Sequence, residues 1–148
     1  MAGNSIREQI LLAVVAVVRP AVEGLGASLH RSPTVAVTRE QCPALVVFPE
    51  SETVTERAND RVTRELTVRF VALARAVPPL TPETQADEIL TAAHAALMAD
   101  GTLGGLALGI REQETEWEVE DADAVAAAIP ARYRITYRTF AADLSIQG

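Results

Sequence analysis

The chain has no lysine, one cysteine, two histidines, one tryptophan and few aromatic residues of any kind. Each shortage removes a class of chemistry. The single cysteine, Cys42, forms no internal disulfide, which fits a reducing compartment. Cys42 precedes Pro43 beside an apolar run, with no histidine close in sequence, and is expected to be a buried thiol and not a nucleophile. His30 and His94 have no neighbouring set of ligands, whereas a metal site needs three or four converging groups. No serine stands in a G-x-S-x-G elbow. The segment GTLGGLALG, with Gly101, Gly104, Gly105 and Gly109, has the glycines of a phosphate loop. It lacks the lysine and Ser/Thr of a true one, and it follows a helix where a phosphate loop follows a strand. It is expected to be a flexible turn. No catalytic residue, cofactor or metal is expected, and the chain is read as a protein that is not an enzyme.

With aromatics at 4%, the core must be built from Val, Leu, Ile and Ala. Apolar residues make up 49% of 148 residues, enough for one buried core and one domain, 1–148. All 13 basic residues are arginine, the usage of an arginine-favouring genome. The net charge is −7, and most of it sits in segment 111–123, where seven acids face one arginine. The remainder is nearly neutral, so no broad basic surface grips nucleic acid. The apolar run Ile10 to Val18 falls far short of the ~20 residues that span a bilayer. Arg7 before it is cancelled by Glu8, unlike the flank of a signal peptide. No membrane partner is expected, and the default location is the cytoplasm where the chain is made.

Ser5 and Glu8 stand in capping-box spacing before a first helix. Ile6, Ile10, Val14, Val17 and Val18 recur at helical intervals, with Leu11, Leu12, Ala13 and Ala16 widening the stripe. Such a helix is expected to be covered on more than one face. Pro20 is expected to kink it, and Gly24 and Gly26 end it. Val35 and Val37 alternate as a short strand, and Ala44 to Phe48 forms a buried one. Pro49 to Asp60 is polar, acidic and aperiodic, so it is expected to be a long loop or hairpin tip. Arg61 to Arg75 alternates strongly, with Val62, Leu66, Val68 and Phe70 against Thr63, Glu65, Thr67 and Arg69. Thr81, Pro82 and Glu83 open a second helix, whose stripe is Ile89, Ala93, Ala96 and Leu97 and which Asp100-Gly101 stops. A strand over Ala107 to Glu120, a helical turn over Asp123 to Ile129 and a last strand, Arg132 to Phe140, complete the chain. The order predicts an α+β fold: a mostly antiparallel sheet of about five strands with two main helices packed against it.

The most informative pattern is a glutamate strand beside an arginine strand. At period two, Glu112, Glu114, Glu116, Glu118 and Glu120 share one face, and Arg132, Arg134 and Arg138 share another. Paired antiparallel, they compensate each other across strands. Five glutamates in one setting do not provide the two contrasting carboxylates of a glycosidase. They suggest an electrostatic surface that lets a polyanion pass, and charge that protects a sheet edge.

The layout resembles the tail terminator (tail completion) proteins of long-tailed bacteriophages. The similar pieces are the opening helix, CPALVVFPE, the LTVRF strand running into VRFVALARA, the helix TPETQADEIL to AALMADGTL, the acidic strand and ARYRITYRTF. The resemblance implies a structural virion protein at the head-proximal end of the tail, assembled in the host cytoplasm. It implies a homo-oligomer, a hexameric ring, that caps the tail tube protein, ends tube growth and meets a head-completion or neck protein. DNA would pass through the ring without specific binding, with the glutamate and arginine strands as channel-facing or interface residues. Glu50, Glu52, Glu56 and Arg57 would then lie in a partner-contact loop, and the apolar first helix would pack on a neighbouring subunit. A head–tail neck or head-closure adaptor is the alternative within assembly. A small α+β ligand-binding or enzymatic domain is the alternative outside it.

Overall fold

The structure is a computed structural model. It describes residues 3–35, 37–75, 78–120 and 126–148, and within them the side chains of all but residues 39, 118–120 and 126. The first helix, α1 (Ile6–Glu23), begins where its sequence asks it to. Ser5 Oγ accepts a hydrogen bond from the Glu8 N–H at 3.1 Å. The reciprocal half of the capping box is absent, because the Glu8 carboxylate accepts two hydrogen bonds from Arg31 at 2.6 and 2.7 Å instead. Ile6, Ile10, Leu11, Val14, Val18 and Val22 form its buried stripe, and Gly24 caps its end. The second helix, α2 (Pro82–Met98), has proline in its first turn and is capped by Thr81, which accepts from the Thr84 N–H at 3.2 Å.

The sheet contains β1 (Ser28–Arg31), β2 (Ala44–Ala58), β3 (Arg61–Arg75), β4 (Gly109–Thr115), β5 (Glu118–Glu120) and β6 (Ala126–Phe140). Its order is β1-β2-β3-β6-β4, with β5 also paired to β6. Only β1 and β2 run parallel; the other pairs are antiparallel. The expected α+β architecture is therefore the one observed. Both helices lie on one face. Leu45, Val47, Leu66, Val68, Phe70, Ala72, Ile129, Tyr133, Ile135 and Tyr137 join the helical stripes in one buried cluster. The alternate residues of β2, β3 and β6 point to the other face, which neither helix covers.

Several local expectations fail for identifiable reasons. No strand includes Val35 or Val37, and Ala36 lies outside the described residues. Val35 is 77% exposed, while Leu29, in the strand that does form there, is buried. Pairing parallel to β2 gives Ser28–Arg31 both a hydrogen-bonding partner and a place for Leu29.

The segment from Pro49 is strand almost to the end, and only Asn59-Asp60 turns. Asn59 supplies the left-handed φ of 58° that the turn requires. Register shifts between Pro49 and Ser51, and between Val54 and Glu56, insert extra residues. Each insertion resets the period-two alternation, which is why the segment looks aperiodic.

The expected long strand 107–120 is two, β4 and β5. Their break lies opposite Pro130 of β6, whose carbonyl accepts from the Glu116 N–H at 2.9 Å but which has no N–H to return. Ala126 to Ile129 is strand and not a helical turn, because β3 and β5 pair with it. Asp123, at the start of that expected turn, lies outside the described residues.

Candidate interaction surface

The uncovered sheet face carries most of the charged residues singled out by sequence. Register places Arg138 beside Thr63, Arg134 beside Thr67 and Arg132 beside Arg69. Arg132 is the hub. Its Nε donates to Glu50 of β2 at 2.9 Å, and its Nη1 donates to Glu114 of β4 at 2.6 Å, with Glu116 at 3.5 Å. A single guanidinium thus ties β2 to β4 across β3 and β6, a use for which its planar fork suits it better than an ammonium. The hydrogen bond from Arg132 to Glu50, then nearby carboxylate charge, raises the arginine above its ordinary pKa. Glu65 of β3 takes Arg134 at 3.6 Å and Arg111 at 3.4 Å. Arg138 donates through Nε to Thr63 Oγ1 at 3.2 Å.

The glutamates do not share one face. Glu112 sits opposite Tyr133, on the helix side, and Glu114 sits opposite Arg132, on the uncovered side. A register shift between them inserts Gln113, and the extra residue sends the next side chain across the sheet. The side chains of Glu118 and Glu120 lie outside the described set, as do Asp121 and Asp123 altogether. Of the five, only Glu114 and Glu116 are placed against the arginine strand.

The four residues assigned to a contact loop belong to β2. Glu50 and Glu52 flank Ser51 but serve opposite faces. Glu50 meets Arg132, whereas Glu52 turns under α1 and meets Arg7 at 2.7 Å, Arg64 at 3.6 Å and the Tyr137 hydroxyl. Burial, then the Glu52 contact, pushes the Tyr137 hydroxyl well above its ordinary pKa. Glu56 and Arg57 are exposed near the hairpin end.

On the helix side a hollow of about 190 Å³ is lined by Asp87, Leu90, His94, Glu112 and Tyr133 among others. His94 Nδ1 lies 2.8 Å from the Tyr133 hydroxyl. Burial, then the Glu112 charge, pushes Tyr133 up to about 12. A phenol so raised stays protonated near neutrality, so it is available to hydrogen-bond His94 but not to act as a base there. His30 lies in β1, with Ser28 Oγ 2.8 Å from its Nε2. Cys42 is half-buried, its Sγ 3.6 Å from the Thr38 carbonyl. In the glycine turn, the Asp100 carboxylate accepts from the N–H groups of Thr102 and Gly104 at 3.0 and 2.7 Å. The loop thus wraps its own carboxylate.

Among the described residues no three His, Cys, Asp or Glu side chains converge as a metal site, and no helix is long and apolar enough to cross a membrane. Comparison with protein-family models and with curated proteins gives no match.

The sequence places Glu65 and Arg69 on a polar strand face and Arg111 and Trp117 in the acidic segment, but gives none of them a partner. Glu65 meets Arg111 and Arg134, which come from strands distant in sequence, so the alternation of RELTVRF shows its face but not its partners.

Proposed function

We propose that the chain is a structural subunit of a phage tail, a ring-forming terminator that caps the tail tube, ends its growth and offers a surface to the head. The observation that carries this reading is the long sheet face left uncovered by both helices, together with strand edges at its two ends that have no partner among the described residues. Beside it stands the resemblance of the layout to tail terminators. A 15-residue β2 is paired by β1 over its first four residues, and among the described residues nothing pairs with the outer edge of its remainder. Strand β4 likewise has no partner beyond it among the described residues. Two open edges on opposite sides allow head-to-tail association, the geometry from which closed rings arise. The arginines most suited to gripping phosphate, Arg132, Arg134 and Arg111, are occupied by Glu50, Glu114 and Glu65. A channel wall built from such pairs lets a duplex slide past with few free cations to hold it.

The test is to add the purified protein to polymerising tail tubes and view them by electron microscopy. The expected result is density at one tube end and tubes that stop lengthening. Tubes that grow unchanged and bare at both ends would refute a terminator, and binding to head-side complexes alone would favour the neck adaptor.

A further inference from the structure

The single tryptophan, Trp117, is 61% exposed. It stands in the break between β4 and β5, on one edge of the sheet. Its neighbours in sequence are Glu116 and Glu118. An exposed indole is a large, rigid and partly polar contact group, the kind of side chain enriched at interfaces.

At the opposite edge, beside β1 and β2, an open apolar hollow of about 430 Å³ is lined by Ser32, Pro33, Val46, Phe48 and Pro49. That volume lies in the range of sites that hold small ligands or side-chain anchors, roughly 300–1,000 Å³. Arg69 lies next to it, its guanidinium carbon 5.7 Å from the centre of the Phe48 ring. Its Nε is buried without a hydrogen-bond partner, and among the described residues Arg69 takes part in no ion pair. Among the described residues Arg132, opposite it, has carboxylate partners and Arg69 has none.

We infer that the two features are halves of one contact between copies of this chain: Trp117 of one copy enters the Phe48 hollow of the next, and Glu116 beside it, which is only 3.5 Å from Arg132 in its own chain and shares that arginine with Glu50 and Glu114, turns to meet Arg69. Within one chain β3 and β6 separate the hollow from the tryptophan, so the contact is intermolecular. It joins unlike edges and is therefore head-to-tail. An aromatic anchor in an apolar hollow, rimmed by a charge pair, is the usual anatomy of an interface hot spot. The inference deepens the ring reading and rests on it.

The test measures association by sedimentation and follows the emission of the only tryptophan over a range of concentrations. Self-association accompanied by a blue shift and protection of Trp117 from iodide is expected. Trp117→Ala, which removes an exposed side chain, is expected to weaken association at least about 30-fold while leaving the circular dichroism unchanged. Arg69→Glu is expected to weaken it too, and Glu116→Arg added to Arg69→Glu is expected to restore part of the loss. Normal assembly of Trp117→Ala, or assembly with the indole still open to iodide, would overturn this contact while leaving the ring reading intact. A wild-type protein that stays monomeric throughout would overturn both.

Discussion

Glu112 and Glu114 are two residues apart on one strand, yet their side chains lie on opposite faces of the sheet. Glu112 stands opposite Tyr133 under the helices, and Glu114 bonds Arg132 at 2.6 Å on the uncovered side. Gln113, the extra residue between them, makes the difference. Deleting Gln113 is expected to preserve the Glu114–Arg132 pair, whereas deleting Glu114 brings Gln113 opposite Arg132 and removes it. Thermal melts of the two deletions check this: the second is expected to melt lower, and the gap is expected to narrow in high salt.

Arg132 holds Glu50 and Glu114 at once. Arg132→Lys keeps the charge but loses the fork, so it is expected to fall between wild type and Arg132→Ala in melting temperature. Because its carboxylate partners Glu50 and Glu114 are partly exposed, salt is expected to compress the series. Equal melting of all three at low salt would show that the hub contributes nothing to stability.

The chain has two tyrosines, and burial raises both. Tyr133 moves from 10.0 to about 12 in the fold. Between those values the unfolded chain has lost the proton and the native one keeps it. Stability is therefore fully present below pH 10 and is lost as pH rises through the folded value. Tyrosinate absorbance is expected to be absent from the native protein near pH 10 and to appear with unfolding. Tyr133→Phe is expected to flatten the alkaline loss.

Glu8 shows the opposite sign. Its hydrogen bonds from Arg31 hold the carboxyl below its ordinary value. That contribution is present above the unfolded pKa and lost as pH falls through the folded one. Both side chains are partly exposed, so the pair contributes only on the order of 0.5 kcal/mol. Glu8→Gln is expected to remove that part of the acid slope, measured by denaturant titration from pH 6 to about pH 3. Ser5→Ala, which removes the cap, is expected to cost about 1 kcal/mol at every pH.

Ile10 is fully buried between the helix layer and the sheet, whereas Leu12 one turn face away is 46% exposed. Ile10→Ala is expected to cost about 2–5 kcal/mol, and Leu12→Ala well under 1 kcal/mol, by chemical denaturation.

These contrasts also explain how much the sequence disclosed. Helices were legible because Ser5, Thr81 and Pro82 mark their starts and the apolar stripes repeat cleanly. Strand β3 was legible because it lies in the sheet interior with one face buried, so alternation is strict. Strand β2 was hidden because two bulges shift its period, and β1 because four residues carry too little pattern. Ala126 to Ile129 has weak strand propensity and extends only because neighbours on both sides pair with it. The arginine face was visible as Arg132, Arg134 and Arg138, but its partners Glu50 and Glu65 come from strands distant in sequence. Period-two counting put Glu112 with Glu114, and one inserted residue separated them.

A terminator works as a closed ring, so the mass of the assembled species is the deciding quantity. Sedimentation equilibrium of the purified protein, from dilute to concentrated solution, tests that directly. The expected result is a single closed species of fixed mass, six copies by the resemblance to tail terminators, that forms as concentration rises. A monomer at every concentration would contradict it, and so would an open series of ever larger species.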